Sequence, residues 1–344
     1  MNRKQGLLIL NLGTPDGPDA PAVGRYLKQF LMDKWVIDIP WLFRWFFVHV
    51  LIVPKRQHAS AEAYKQIWTK RGSPLLFYLR DLEERVAALI PDVTVASAMR
   101  YGNPSVEVGL KRLSHCDEIL VFPLYPQYAE SSTRSSHEEC KRAAQALKLR
   151  SRLTFVKDYF EHPSFIDCFK DVIAPVLASE KPDHLLMSFH GLPERHVRRV
   201  GGEHCLATSS CCNSITPTNR DCYRAQSFAT ARALAMKLGL HADRYSVSFQ
   251  SRLGRTPWIQ PFTDVRLGEF PAKGVKRLAV VCPSFATDCL ETIEEIGLRG
   301  AETFKQAGGT EYVAIPCLNA RESWAEAVVK ISSDHGLIHA ESQT

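Results

Sequence analysis

The sequence predicts an α/β protein built as two similar doubly wound lobes, each around a parallel four-stranded sheet. Three observations predict it: eight short apolar runs rich in β-branched residues, helical stretches lodged between them, and matching loops at corresponding places in the two halves. In chain order the runs are Leu7 to Leu12, Val93 to Met99, Glu118 to Leu124, Leu153 to Val156, Leu185 to Phe189, Tyr245 to Phe249, Leu278 to Cys282 and Tyr312 to Ile315. Each is too short for a helix and apolar on both alternating faces, as a strand covered on both sides must be. Leu79 to Leu89, Ser135 to Leu147, Arg224 to Leu238 and Cys289 to Gln306 read as the helices between them. The loop Asn11-Leu12-Gly13-Thr14-Pro15 answers to His190-Gly191-Leu192-Pro193, and Arg100-Tyr101-Gly102 answers to Gln250-Ser251-Arg252-Leu253-Gly254. The expected division is residues 1–175, with an apolar lip, and 176–344, with a cysteine-rich loop at 201–222.

A chain of 344 residues with 45% hydrophobic content can bury two ordinary cores. The net charge of +6 is dispersed, which suits an anionic ligand or an acidic membrane surface and does not call for nucleic acid. Met1 to Gln5 is charged like a secretory leader, but the apolar run behind it breaks at Asn11 and reads as the first strand. The expected compartment is the cytoplasm, where the ten cysteines are reduced thiols or ligands.

Doubly wound lobes set their first strand beside their third and open a crevice at the carboxyl ends. His190 ends the first strand of the second half, with Gly191 allowing close approach and Pro193 stopping the strand. The third strand runs into Asp288-Cys289-Leu290-Glu291 and on to Glu295. The topology therefore brings His190 and Glu291 to opposite sides of one cleft. On a helix, Asp288, Glu291 and Glu295 form one acidic stripe, either a path for protons and metal or a solvated helix start favoured by the dipole.

From Ile39 to Pro54 the chain is dense in tryptophan and phenylalanine but interrupted by Arg44 and His49, and falls short of the roughly 20 residues of a spanning helix. With Lys34, Lys55 and Arg56 alongside, it suits a membrane-surface patch, the mouth of a pocket for a flat apolar ligand, or a buried core helix.

Taken in order, Asn11 to Pro15, Tyr26-Leu27-Lys28-Gln29-Phe30-Leu31, Gly72-Ser73-Pro74, Ala98 to Gly102, Pro123-Leu124-Tyr125-Pro126-Gln127-Tyr128, Ser188 to Arg195, Gln250 to Arg252, Pro257-Trp258 and Asp288 to Glu291 resemble the ferrochelatases over nearly the whole length. Those enzymes insert Fe(II) into a porphyrin at the end of haem synthesis. The resemblance implies two Rossmann-like lobes of type II chelatase kind around a porphyrin cleft. It implies protoporphyrin IX and Fe(II) as substrates, and His190 and Glu291 as the catalytic pair and contacts of the iron. Asp288 and Glu295 then line a metal or proton path. Leu12, Arg56, Arg100, Tyr101 and Tyr125 fall at positions the family uses around the macrocycle, and Trp258 packs either on the ring edge or in the core. Peripheral contact at the inner face of the membrane is expected. Two other functions fit the same residues: a chelatase for another tetrapyrrole, such as coproporphyrin or a cobalt corrin precursor, and a non-catalytic haem or iron carrier.

The chain departs from the family in two places. Cys289 stands where many members have histidine, either altering metal preference or serving as a small buried side chain. Some members hold a [2Fe-2S] cluster with a cysteine near Pro-Gln-Tyr and three more in a C-terminal extension. Here Glu130 occupies the first place and no cysteine follows Cys317. Instead Cys205, Cys211, Cys212 and Cys222 crowd into one loop. Adjacent cysteines suit two irons better than one zinc, so the expected cofactor is a [2Fe-2S] cluster, with zinc or a metal-free loop as the alternatives. Cys116, Cys140, Cys168, Cys282 and Cys317 are scattered and read as structural.

Overall fold

The computed structural model describes residues 3–206, 208, 210–252, 254 and 256–338. All eight expected strands form: β1 (Gln5–Thr14), β2 (Thr94–Gly102), β3 (Glu118–Pro123), β4 (Arg152–Phe155), β5 (His184–His190), β6 (Tyr245–Gln250), β7 (Arg277–Val281) and β8 (Glu311–Ala314). They make two sheets, ordered β2-β1-β3-β4 and β6-β5-β7-β8, with every pairing parallel. In each sheet the first strand lies between the second and third, so the order reverses there, as doubly wound topology requires. Leu7 to Leu10 of β1 are wholly buried, which explains the unbroken apolar run.

The chain divides into two compact units, but not by one cut at residue 175. The first comprises 1–125, 130–157 and 320–344, and the second 126–129 and 158–319. The helix Pro163–Glu180 packs on Tyr223–Lys237 in the second unit, while the last helix, Glu322–Asp334, returns to pack on Pro74–Leu89 in the first. Trp324 drives that return: it is wholly buried, with its ring 6.5 Å from that of Phe122. Burying an aromatic ring outweighs sequence adjacency.

Between Ile39 and Pro54 the chain forms the helix Trp41–Phe46 and a wider π-helical turn, Phe47–Ile52. It is no core helix: Trp41, Leu42 and Phe43 are each at least 60% exposed, with Trp45, Phe46 and Phe47 also open. Arg44, Val48 and, at its end, Val53 face inward, and Arg44 donates to the carbonyls of Ile37 and Ile39 at 3.0 and 3.2 Å. No helix among the described residues is long and apolar enough to cross a membrane.

Candidate functional site

His190 is the last residue of β5, paired in register with Gln250 of β6. Its backbone N–H donates to Ser284 Oγ at 3.0 Å, and its Nδ1 lies 2.6 Å from the Gly191 carbonyl. A carbonyl only accepts, so Nδ1 carries the proton and Nε2 is left with its lone pair. Gly191 is required here because a Cβ would fall 2.7 Å from the Gln250 carbonyl and 3.3 Å from Trp258. Trp258, half-buried, thus backs the His190 loop, which is further stitched by Ile259 N–H to the Leu192 carbonyl at 3.0 Å.

Glu291 opens a ten-residue π-helical stretch, Glu291–Gly300, that continues as the α-helix Ala301–Gln306. Sequence periodicity predicts an ordinary α-helix there, and i→i+5 bonding is a backbone choice that side-chain pattern does not report. Glu295 lies one turn on and is largely buried. Burial raises its carboxyl above the ordinary range and the nearby Glu291 charge raises it further, while donation from Ser251 and the proximity of His190 oppose the rise. One buried carboxyl therefore senses both residues of the expected pair.

Asp288 does not extend the stripe. It sits before the helix, and its carboxylate accepts from Thr292 Oγ1 at 2.9 Å, Cys317 N–H at 3.2 Å and Asn319 Nδ2 at 2.7 Å. With those donors in place it ties the segment after β8 to the helix start. Cys289 is buried with its thiol pushed up by burial, as a small core side chain would be.

Two residues that periodicity could not single out organise this constellation. Gln250 accepts from Ser188 Oγ at 2.7 Å and donates from Nε2 to the Glu291 carbonyl at 3.1 Å, joining the strand that bears His190 to the helix that bears Glu291. Ser251, held at a left-handed φ of 65°, donates its N–H to Glu295 at 2.8 Å and its hydroxyl to the other carboxylate oxygen. A non-glycine residue there costs energy and marks a constrained site. The signal was the Gln250-Ser251-Arg252 motif, whose purpose no local pattern discloses. Tyr223, fully enclosed, stands against Ser284 and the His190 backbone.

In the first unit, Arg100 donates to Asp33 Oδ2 at 2.6 Å and to Ser135 at 2.8 Å. Tyr101 is wholly buried and gives its hydroxyl to the same Asp33 oxygen at 2.7 Å, so it acts by holding its neighbours and not as an open surface. Leu12 and Tyr125 are half-buried, the latter 3.3 Å from Ser136 Oγ, and Arg56 is exposed on the helix Val53–Ile67. Asp33 is the residue missed here, since nothing local distinguishes it from a loop aspartate.

The four loop cysteines form one run of thiols, Cys205 with Cys222 at 3.9 Å and Cys211 with Cys212 at 3.6 Å between sulfurs, with Cys212 also hydrogen-bonded to Cys222. Thiols this close together could share a metal centre, and adjacent cysteines suit two irons better than one ion. Cys205, Cys211 and Cys222 line a cavity of about 340 Å³. The Cys205 thiol is held below its ordinary value by Cys222, whose own thiol is pushed up to about 11. Among the described residues, no three or more His, Cys, Asp or Glu side chains gather as a single-ion site.

Comparison with known proteins follows this geometry. The family model described as Ferrochelatase matches residues 4–335. The ferrochelatase of Coxiella burnetii (strain Dugway 5J108-111) is 47% identical over 96% of this chain and 94% of its own length. That of Azotobacter vinelandii (strain DJ) is 46% identical over 96% of this chain and 98% of its own. Among solved structures, the sirohydrochlorin chelatase of Bacillus subtilis subspecies spizizenii in complex with cobalt superposes with a TM-score of 0.54 at 11% identity, covering 96% of this chain and 95% of its own. That last likeness shows a shared fold.

Proposed function

The chain belongs to the ferrochelatase family and is a metal chelatase, and on that premise we propose that it inserts Fe(II) into protoporphyrin IX to give protohaem, using His190 and Glu291. Metallation exchanges one Fe(II) for two pyrrole protons, so the site must strip water from the metal and accept protons near neutral pH. His190 Nε2 supplies one lone pair that can hold the metal or take a proton, one after the other, since Nδ1 is committed to the Gly191 carbonyl. Glu291 supplies the carboxylate, and Glu295 passes protons onward. Imidazole and carboxylate also hold Fe(II) loosely enough to release it into the macrocycle. Arg56 and Arg100 offer guanidinium groups for the porphyrin carboxylates, Arg100 preset by Asp33. The observation that carries the reading is that Gln250, in register with His190, donates to the Glu291 carbonyl and so joins the strand of one to the helix of the other. The test is insertion of Fe(II) or Zn(II) into protoporphyrin and coproporphyrin by purified protein. His190→Ala and Glu291→Gln are each expected to lose about 10²–10⁴-fold. Full activity in both variants overturns the assignment, and faster metallation of coproporphyrin shifts the substrate.

Cys205, Cys211, Cys212 and Cys222 would hold a [2Fe-2S] cluster, which supplies a one-electron redox couple when bound. Support comes from four thiols gathered in one loop, two of them adjacent in sequence, because adjacent cysteines suit two irons better than one zinc. Brown protein containing iron and sulfide is expected, and colourless protein containing zinc refutes it. The exposed aromatic lip beside Lys55 and Arg56 is proposed to rest on an anionic membrane surface.

A further inference from the structure

Among the described residues, Arg198, Arg224 and Arg232 donate to cysteines of the loop, and they are not equivalent. Arg198 and Arg232 donate to backbone carbonyls, those of Cys205 at 3.2 Å and Cys212 at 2.8 Å. Arg224 instead donates Nη1 to a sulfur, Cys212 Sγ, at 3.1 Å. Its aim is fixed by three further contacts: Nε and Nη2 reach the Gln260 carbonyl at 3.4 and 3.3 Å, and the guanidinium lies 4.8 Å from the Phe228 ring. Cys212 is 3% exposed, so this charge-assisted bond acts where water screens little. The other thiol pair, Cys205 and Cys222, is buried as well, but the guanidinium nearest it, Arg198, is spent on a carbonyl and on Glu194 at 3.3 Å.

We propose that Arg224 sets the reduction potential of the loop's iron–sulfur cluster through its bond to Cys212. This rests on the [2Fe-2S] reading given above. One-electron reduction leaves the cluster one unit more negative without changing its bonds to the chain. An N–H donor and a positive charge at one sulfur stabilise that added charge more than the oxidised form, which raises the potential. The donor reaches Cys212, so the added charge is stabilised at one end of the group of thiols. Arginine suits the role because its planar fork can hold Gln260 and Cys212 together, whereas a lysine ammonium brings charge without that geometry.

The experiment is a redox titration of the full chain, from the oxidised state with dithionite, followed by visible absorption and by the EPR signal of the reduced state. Wild type is compared with Arg224→Met, Arg224→Lys and Arg198→Met. The expected result is a more negative midpoint for Arg224→Met, an intermediate one for Arg224→Lys, a smaller shift for Arg198→Met, and an altered g-anisotropy in the Arg224 variants alone. An Arg224→Met midpoint equal to wild type, with the cluster spectrum intact, overturns the proposal while leaving the cluster reading standing. If Arg224→Met does not retain its cluster, the Arg224→Lys midpoint decides in the same way. A wild-type protein without the iron–sulfur chromophore brings down both.

Discussion

Replacing Ser251 by alanine removes the hydroxyl that donates to Glu295 and leaves the backbone donor at 2.8 Å in place. A hydrogen bond to an ionised carboxylate contributes about 1.5–3 kcal/mol, roughly twice a neutral one. At pH 8 the variant is expected to lose about 2 kcal/mol, which for a unit of this size lowers Tm by roughly 4–8 °C. The pH dependence follows from the sign of the Glu295 shift. Its folded-state value is raised above 4.5, so the carboxyl's contribution is fully present below pH 4.5 and is lost as pH climbs through the raised value. Deleting the hydroxyl raises that value further and deepens the loss on the alkaline side. At pH 4.5 more of the carboxyl is protonated than at pH 8, so part of the charged bond is replaced by a neutral one and the difference shrinks. Calorimetric scans of wild type and Ser251→Ala at pH 8 and pH 4.5 measure this directly. Equal Tm drops at the two pH values, or none at pH 8, would show that Ser251 does not hold a charged carboxylate.

In the first unit, burial lowers His137 from 6.5 to about 4, beside the Phe155 ring at 4.6 Å between centroids. The folded chain binds this proton more weakly than the unfolded chain, so stability is full above pH 6.5 and falls as pH drops toward 4. By pH 5 the loss is about 2 kcal/mol, and His137→Gln should flatten the fall in Tm between pH 7 and pH 5. Parallel pH profiles for the two proteins would contradict it. At the lip, Trp41 and Phe43 each contribute on the order of 1–2 kcal/mol if their rings enter a lipid surface, so changing both to serine is expected to weaken binding to anionic vesicles at least about tenfold. Unchanged co-sedimentation of the double variant would remove the membrane assignment.

Much of this protein was determined by sequence alone. The eight apolar runs became eight strands because a strand buried on both faces must be continuously apolar, and a helix lodged between two such runs forces parallel pairing. The same logic carried His190 to a strand end and Glu291 to the helix after β7, on the two strands that doubly wound topology makes neighbours. Four cysteines come close in one loop because side chains near in sequence need no fold to bring them together.

Tertiary structure alone decided what each polar group is bonded to. Asp288 and Glu295 look alike along the chain, yet Asp288 is spent on Thr292, Cys317 and Asn319, whereas Glu295 is held by Ser251 beside His190 and Glu291. Tyr101 and Arg100 are adjacent, but an aspartate far back in the sequence, Asp33, takes both. The last helix returned to the first unit because Trp324 found its cover there. Period and composition report how much surface a segment must bury. Which donor meets which acceptor depends on ångström-scale placement of atoms distant in the chain, and that exists only once both cores have closed.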